Sequence, residues 1–162
     1  MTHSEHQLGA SASLGARGAA VSNARPDPAR SLTFPGGRAV ILVVERDPHV
    51  RDLEQFFLNE AGYGVEFAAD GVIALAMTRA LSPHIVITEI LVPKLDGLAL
   101  CRAIKEDPAL RDTAVLVFSI LAAEGRAREA GADAFLMKPL AERRLVDTVR
   151  ALIAARASGS RS

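Results

Sequence analysis

The chain has 162 residues, of which 49% are apolar, 4% aromatic and none tryptophan. That is enough for one domain with a full aliphatic core and some tail. Nineteen basic residues balance nineteen acidic ones, so no overall charge draws the chain to nucleic acid or to an acidic membrane surface. A single cysteine, Cys101, excludes an internal disulfide and a cysteine-rich metal site. No run approaches the ~18 apolar residues of a membrane span, and no basic start leads into an apolar secretory core. The expected location is cytoplasmic, with no nucleic-acid or membrane partner.

Residues 1–37 are rich in Gly, Ala, Ser and Pro, with prolines at Pro26, Pro28 and Pro35. They lack a sustained apolar period, so they cannot bury enough surface to offset their ordering entropy. They are expected to form a disordered N-terminal tail. Residues 38–156 are the expected domain, and 157–162 a C-terminal tail.

Ala39 to Val44 is an unbroken branched apolar run, the pattern of a strand buried on both faces. It ends in Glu45-Arg46-Asp47-Pro48. Pro48 suits a first helical turn, with Asp47 as N-cap. Val50, Leu53, Phe57, Leu58 and Ala61 then predict one helical face, and Gly62 a stop. Gly64 to Ala69 is a second strand. Asp70-Gly71 opens a helix to Leu81 with Ile73, Leu75, Ala76 and Ala80 as its apolar positions, broken by Ser82-Pro83.

Ile85 to Thr88 is a third strand that ends at Glu89. Asp96 caps a third helix carrying Leu98, Cys101 and Ile104, with Cys101 as a small core residue, and this helix ends before Asp107-Pro108. Ala114 to Phe118 is a fourth strand, ending at Ser119. A short helix over about 122–130 stops at Gly131. Ala134 to Met137 is a fifth strand, with Met137 in the core, ending at Lys138-Pro139. A last helix runs from about Glu142 to Ala155, with Leu145, Val149, Leu152 and Ile153 inward.

Five strand-then-helix units predict an α/β fold, a doubly wound parallel sheet with helices on both faces. In such sheets the functional crevice lies outside the C-terminal strand ends. Glu45, Arg46, Asp47, Glu89, Ser119 and Lys138 all fall at those ends. They can converge although they are far apart in sequence. No histidines pair at ligand spacing, and no nucleophile–base pair of a hydrolase stands out, so an enzyme in its own right is not expected.

The stretches I-L-V-V-E-R-D-P, P-H-I-V-I-T-E-I-L-V-P-K-L-D-G, V-L-V-F-S and G-A-D-A-F-L-M-K-P-L resemble, in order and spacing, the receiver domain of two-component response regulators. The resemblance covers about residues 38–156. It implies a flavodoxin-like (βα)5 fold with strand order 2-1-3-4-5 and a phosphoryl-transfer switch. In that family an Asp ending the third strand accepts phosphate from a histidine kinase. Two acids after the first strand hold Mg²⁺ with it. A Ser or Thr and a Lys contact the phosphoryl group, and an aromatic on the fifth strand changes rotamer.

Here the acceptor position falls on Glu89 and the acidic pair on Glu45 and Arg46. The phosphate contacts fall on Ser119 and Lys138, and the switch aromatic on Phe135. Bulky Ile120 stands where a small residue is usual, and the stretch from Ser119 to Lys138 is about one helical turn short. Glu89 is one methylene longer than Asp, a shift of about 1.5 Å where in-line attack tolerates little misplacement. Arg46 puts a cation where a metal ligand belongs, so Mg²⁺ is not expected. Asp47 could assist a weak metal site with Glu45 and Glu89, but is better explained as an N-cap. Arg46 pairs with Glu89 or Glu45, or else faces solvent. A Glu89 carboxylate among cations is expected to stay ionised.

The expectation is an atypical receiver that acts by protein–protein interaction, fixed in one state by Glu89. The alternative is a working phosphoacceptor in a histidine kinase relay. A flavodoxin-type ligand site is disfavoured because Glu45-Arg46-Asp47-Pro48 replaces a glycine-rich loop. The resemblance implies protein partners, a histidine kinase among them, and a homodimer through the face of the fourth helix, fifth strand and fifth helix. Arg126, Arg128, Arg143 and Arg144 lie near that face, where a solvated basic surface is the simpler reading. With so few residues after the last helix, the chain is expected to stand alone without an output domain.

Overall fold

The structure, a computed structural model, describes residues 37–159. Five parallel strands form one sheet in the order β2-β1-β3-β4-β5. They are β1 (Val40–Val44), β2 (Gly64–Ala68), β3 (Ile85–Thr88), β4 (Ala114–Ser119) and β5 (Ala134–Met137). Five helices alternate with them: α1 (Pro48–Glu60), α2 (Gly71–Leu81), α3 (Gly97–Glu106), α4 (Glu124–Glu129) and α5 (Glu142–Gly159). A 3-10 turn, Pro108–Leu110, links α3 to β4. This is the flavodoxin-like arrangement, with the order reversal between β1 and β3. The expected tail at 1–37 lies outside the described residues except for Gly37.

The pleat of the sheet divides the core in two. Leu42, Val44, Val86, Val115 and Val117 point to the side covered by α2, α3 and α4. Ile41, Val43, Ile85, Ile87, Leu116 and Phe118 point to the side covered by α1 and α5, where Leu58, Leu145 and Val149 meet them. Every residue of β1 is buried, as its unbroken apolar run predicts. Cys101 is fully buried in the first of these cores, and burial pushes its thiol up to about 11, which makes it an inert core residue.

The helix starts follow the capping rules. Asp47 Oδ1 accepts from His49 N at 2.9 Å, with Pro48 in the first turn. Asp70 Oδ1 accepts from Ile73 N at 2.8 Å. Asp96 Oδ1 accepts from Leu98 N and Ala99 N, both at 2.9 Å.

Four expectations need correction. On α1, Leu53 is 47% exposed and Glu54 takes the inward place. The inward stripe runs from half-buried Val50 to buried Glu54 and Leu58 at four-residue steps, so the helix phase is set one residue away from the one the apolar count favours. On α2, Gly71, Ala74 and Thr78 are buried, while Ile73, Ala76 and Ala80 face outward. A Cβ on Gly71 would lie 1.8 Å from the Leu95 carbonyl oxygen. The small-residue stripe therefore fixes that helix face, and the Thr78 hydroxyl is satisfied by the Ala74 carbonyl at 2.7 Å. Met137 is 48% exposed, because it ends edge strand β5. Finally, α5 continues to Gly159, so residues 157–159 are helix rather than tail. Helix α4 has six residues and no side-chain cap, as short as the reduced spacing suggests.

Candidate functional site

Strand β3 delivers Glu89 to the C-terminal edge of the sheet. Its N–H donates to the Val44 carbonyl at 3.1 Å, which extends the β1–β3 ladder by one residue and sets Glu89 beside Glu45. The chain then turns through Ile90 to Asp96. Gly97 N–H donates to the Ile90 carbonyl at 2.9 Å. A Cβ on Gly97 would stand 2.2 Å from the Glu89 carbonyl oxygen. The Asp96-Gly97 pair thus has two duties: the aspartate caps α3, and the glycine lets α3 start directly against the backbone of Glu89.

Lys138 arrives from the other side. Its N–H donates to the Ser119 carbonyl at 2.9 Å, so β5 carries the lysine past its last paired residue. The following Lys138-Pro139 peptide is cis. From there the ammonium reaches back under β4. It lies 2.5 Å from Glu45 Oε2 and 3.0 Å from Glu89 Oε2, and 5.5 Å from the centre of the Phe118 ring.

The Glu89 carboxylate is saturated. Oε1 accepts from the Ser119 hydroxyl and from Ile90 N at 2.6 Å, with Leu91 N at 3.4 Å. Oε2 accepts from Ile120 N at 3.2 Å and from the Lys138 ammonium. Burial raises the cost of its charge, but the Ser119 hydroxyl and Lys138 outweigh that, and its pKa falls below the ordinary carboxylate value. Lys138 shows the mirror image. Burial works against its charge, hydrogen bonds to Glu45 and Glu89 overcome this, and its pKa rises. Glu45 is held from its other oxygen, where Oε1 accepts from Asp47 N at 2.9 Å. Glu45, Glu89 and Ser119 are all buried.

The structure therefore brings Glu45, Glu89, Ser119 and Lys138 together. Arg46 does not join them. It is exposed and, among the described residues, makes no ion pair, because its neighbour Glu45 already points inward at Lys138. Asp47 spends its carboxylate on the α1 cap. Phe135 is half-buried on β5 and packs into the core beneath α3 and α4. Ile120 is 59% exposed, so its side chain leaves the Ile120 N–H free to reach Glu89.

Glu45 and Glu89 are the buried carboxylates at this edge that could face a Mg²⁺ ion, which takes about six oxygen ligands. The ammonium of Lys138 already bridges the two buried carboxylates, and the third acid of such a site is missing at Arg46.

One buried group was not singled out from the sequence. Glu54 on α1 is 1% exposed, and its Oε2 has no hydrogen-bond partner. Its signal was present: an acid placed four residues from both Val50 and Leu58, on one helix face.

Comparison with known proteins identifies the family and the fold. The family model for the response regulator receiver domain matches residues 41–150. The chain is 36% identical over 116 residues to the response regulator MprA of Mycobacterium avium, covering 70% of this chain and 50% of that protein. It is 32% identical over 116 residues to RpaA of Synechocystis, a DNA-binding dual master transcriptional regulator, covering 70% of this chain and 48% of that protein. The chain thus spans about half the length of these curated relatives. Among solved structures, it resembles the receiver domain of a signal transduction histidine kinase from Syntrophus aciditrophicus. That match has a TM-score of 0.68 and 33% identity, over 72% of this chain and 91% of that one. The expected exclusion of nucleic acid finds no support in relatives of which one is a DNA-binding regulator. No helix among the described residues is long and apolar enough to cross a membrane.

Proposed function

This chain belongs to the response regulator receiver domain family of two-component signal transduction, and from that membership we propose that it is a receiver held in one state by its own Glu89. Receiver domains are signalling modules that meet histidine kinases and other proteins. In this reading the chain acts through protein–protein contacts, without Mg²⁺ and without the usual phosphorylation.

The observation that carries the reading is the saturation of Glu89. The Ser119 hydroxyl, the Ile120 N–H and the Lys138 ammonium all point at its carboxylate. The hydroxyl of Ser119 and the ammonium of Lys138 fall where the family resemblance places the contacts to a phosphoryl group. A carboxylate one methylene longer than Asp reaches them without phosphate, through charge-assisted hydrogen bonds. Phosphoryl transfer depends on positioning and on metal to neutralise developing charge. Here the acceptor is engaged and a cation replaces one acid.

The test is intact mass after incubation with acetyl phosphate and Mg²⁺. The expected result is an unchanged mass. A stable gain of one phosphoryl group, abolished in Glu89→Gln, would favour the second reading, a working phosphoacceptor in a kinase relay. A homodimer through α4, β5 and α5 is a further partner in this reading. Arg126, Arg128 and Arg144 are exposed on α4 and α5, whereas Arg143 lines the groove between α5 and α1 instead.

A further inference from the structure

Two turns into α1, the inward stripe is interrupted by an acid. Val50 and Leu58 pack into the core between α1, α5 and the sheet, and Glu54 lies between them on the same helix face. It is 1% exposed, and Oε2 finds no donor. An ionised carboxylate in such a place loses its hydration with nothing in exchange. A neutral carboxyl is tolerated as a near-isostere of the apolar side chains that flank it.

The pleat brings charged groups to the α1 side of the sheet from three elements, since Glu45 continues the face of Ile41 and Val43, Glu89 that of Ile85 and Ile87, and Lys138 that of Leu136. Glu45 stands at the end of β1, Glu89 at the end of β3, and Lys138 follows β5. Strand β2 adds none, since it presents Val65 and Phe67 to this face. Helix α5 carries Glu142, Arg143, Asp147 and Arg150, which line a groove with Phe57, Glu60 and Ala61. The buried cluster thus has one cation, Lys138, against Glu45 and Glu89, with Glu54 as a third acid nearby on the α1 face.

We propose that Glu54 is a proton-operated control on the strand-edge cluster. With its proton it is a silent filler of the α1 face. Without it, it is a third buried carboxylate that draws on Lys138 and weakens the hold of Lys138 on Glu89. The inference rests on reading the Glu45–Lys138–Glu89 contact as the fixed element of the site.

Burial, with Glu45 next in weight, pushes the Glu54 carboxyl up from 4.5 to about 8. The sign follows from linkage. Between 4.5 and about 8 the folded state keeps a proton that the unfolded state has lost. Folding therefore weakens as pH rises through that window, by about tenfold in the folding equilibrium for each pH unit. Below the window the loss vanishes, and above it the loss is complete.

The experiment is a pH titration of the full chain by carboxyl and lysine side-chain NMR, run on wild type, Glu54→Gln and Glu54→Leu. The Glu54 carboxyl is expected to titrate near the value given above. The Lys138 signals should move in the same step, and that step should vanish in both variants. A Glu54 carboxyl titrating in the ordinary carboxylate range overturns the inference. So does a Lys138 step that survives in both variants. The fixed-state reading fails separately: phosphoryl uptake at about pH 6.5, where Glu54 still holds its proton, would remove that reading and leave the coupled step standing.

Discussion

Lys138 Nζ lies 3.0 Å from Glu89 Oε2, across β4 from the strand that carries Glu89. The same ammonium is 2.5 Å from Glu45 Oε2. One cation therefore ties the ends of three strands into a single buried unit, and both carboxylates depend on it. Lys138→Met is expected to leave two acids buried without a counter-charge. Breaking a buried pair from one side costs about 3–5 kcal/mol. Urea denaturation at neutral pH should show that loss, and a change below about 1 kcal/mol would mean that the pair behaves as a solvated surface contact.

The same unit is expected to shape the acid limb of the stability curve. Glu89 has a folded pKa below the ordinary carboxylate value of 4.5. Its contribution is therefore fully present above 4.5 and is lost as pH falls through the lower, folded value. Lys138 has a folded pKa above the ordinary lysine value of 10.5. Its contribution is present below 10.5 and is lost as pH rises through the higher, folded value. Denaturation midpoints across the pH range should fall at both ends, and Glu89→Gln should flatten the acid limb. An acid limb unchanged in Glu89→Gln would assign it to other carboxylates.

How much of this was legible in the sequence differs by element. The convergence of Glu45, Glu89, Ser119 and Lys138 was readable, because strand ends in a parallel sheet share one edge whatever the side-chain details. The role of Arg46 was not. Sequence places it beside Glu45, but the strand pleat turns consecutive residues to opposite sides, and Glu45 is the one that faces Lys138. The two helix phases were missed for a related reason. Counting apolar residues favours Leu53 and Ile73, whereas close approach favours Gly71, and the chain accepts Glu54 indoors to keep Val50 and Leu58 there. Met137 was misplaced because apolar character does not reveal that β5 is an edge.

Gly97 offers a direct check on how the loop positions the acid. A Cβ at this position would stand 2.2 Å from the Glu89 carbonyl oxygen and 2.9 Å from Ile90 Cα. Both are backbone atoms, which cannot swing aside as a side chain could. Gly97→Ala is expected to cost about 1–3 kcal/mol by overpacking and to shift the Glu89 backbone. Amide shifts of Glu89 and Ile90 in NMR spectra would report the displacement. Unchanged shifts with full stability would show that α3 can retreat freely.

The length of the Glu89 side chain is the last point to test. Shortening it by one methylene in Glu89→Asp withdraws the carboxylate by about 1.5 Å. The Ser119 hydroxyl and the Ile120 N–H then lose their acceptor, at a cost of about 1–3 kcal/mol per unsatisfied buried group. Space for a phosphoryl oxygen opens in the same step. In the proposed reading acceptor geometry alone is not sufficient, because Arg46 leaves one acid missing from the metal site that the resemblance implies and Mg²⁺ takes near-octahedral oxygen ligands. Glu89→Asp is therefore expected to remain unmodified by acetyl phosphate and Mg²⁺. The double variant Glu89→Asp, Arg46→Asp should gain one phosphoryl group by intact mass, and chelation of Mg²⁺ should abolish the gain. Uptake by Glu89→Asp alone would show that the methylene, and not the cation at position 46, is what separates this chain from a working acceptor. No uptake by the double variant would locate the obstruction elsewhere, with the exposed Ile120 and the short α4 as the next elements to exchange.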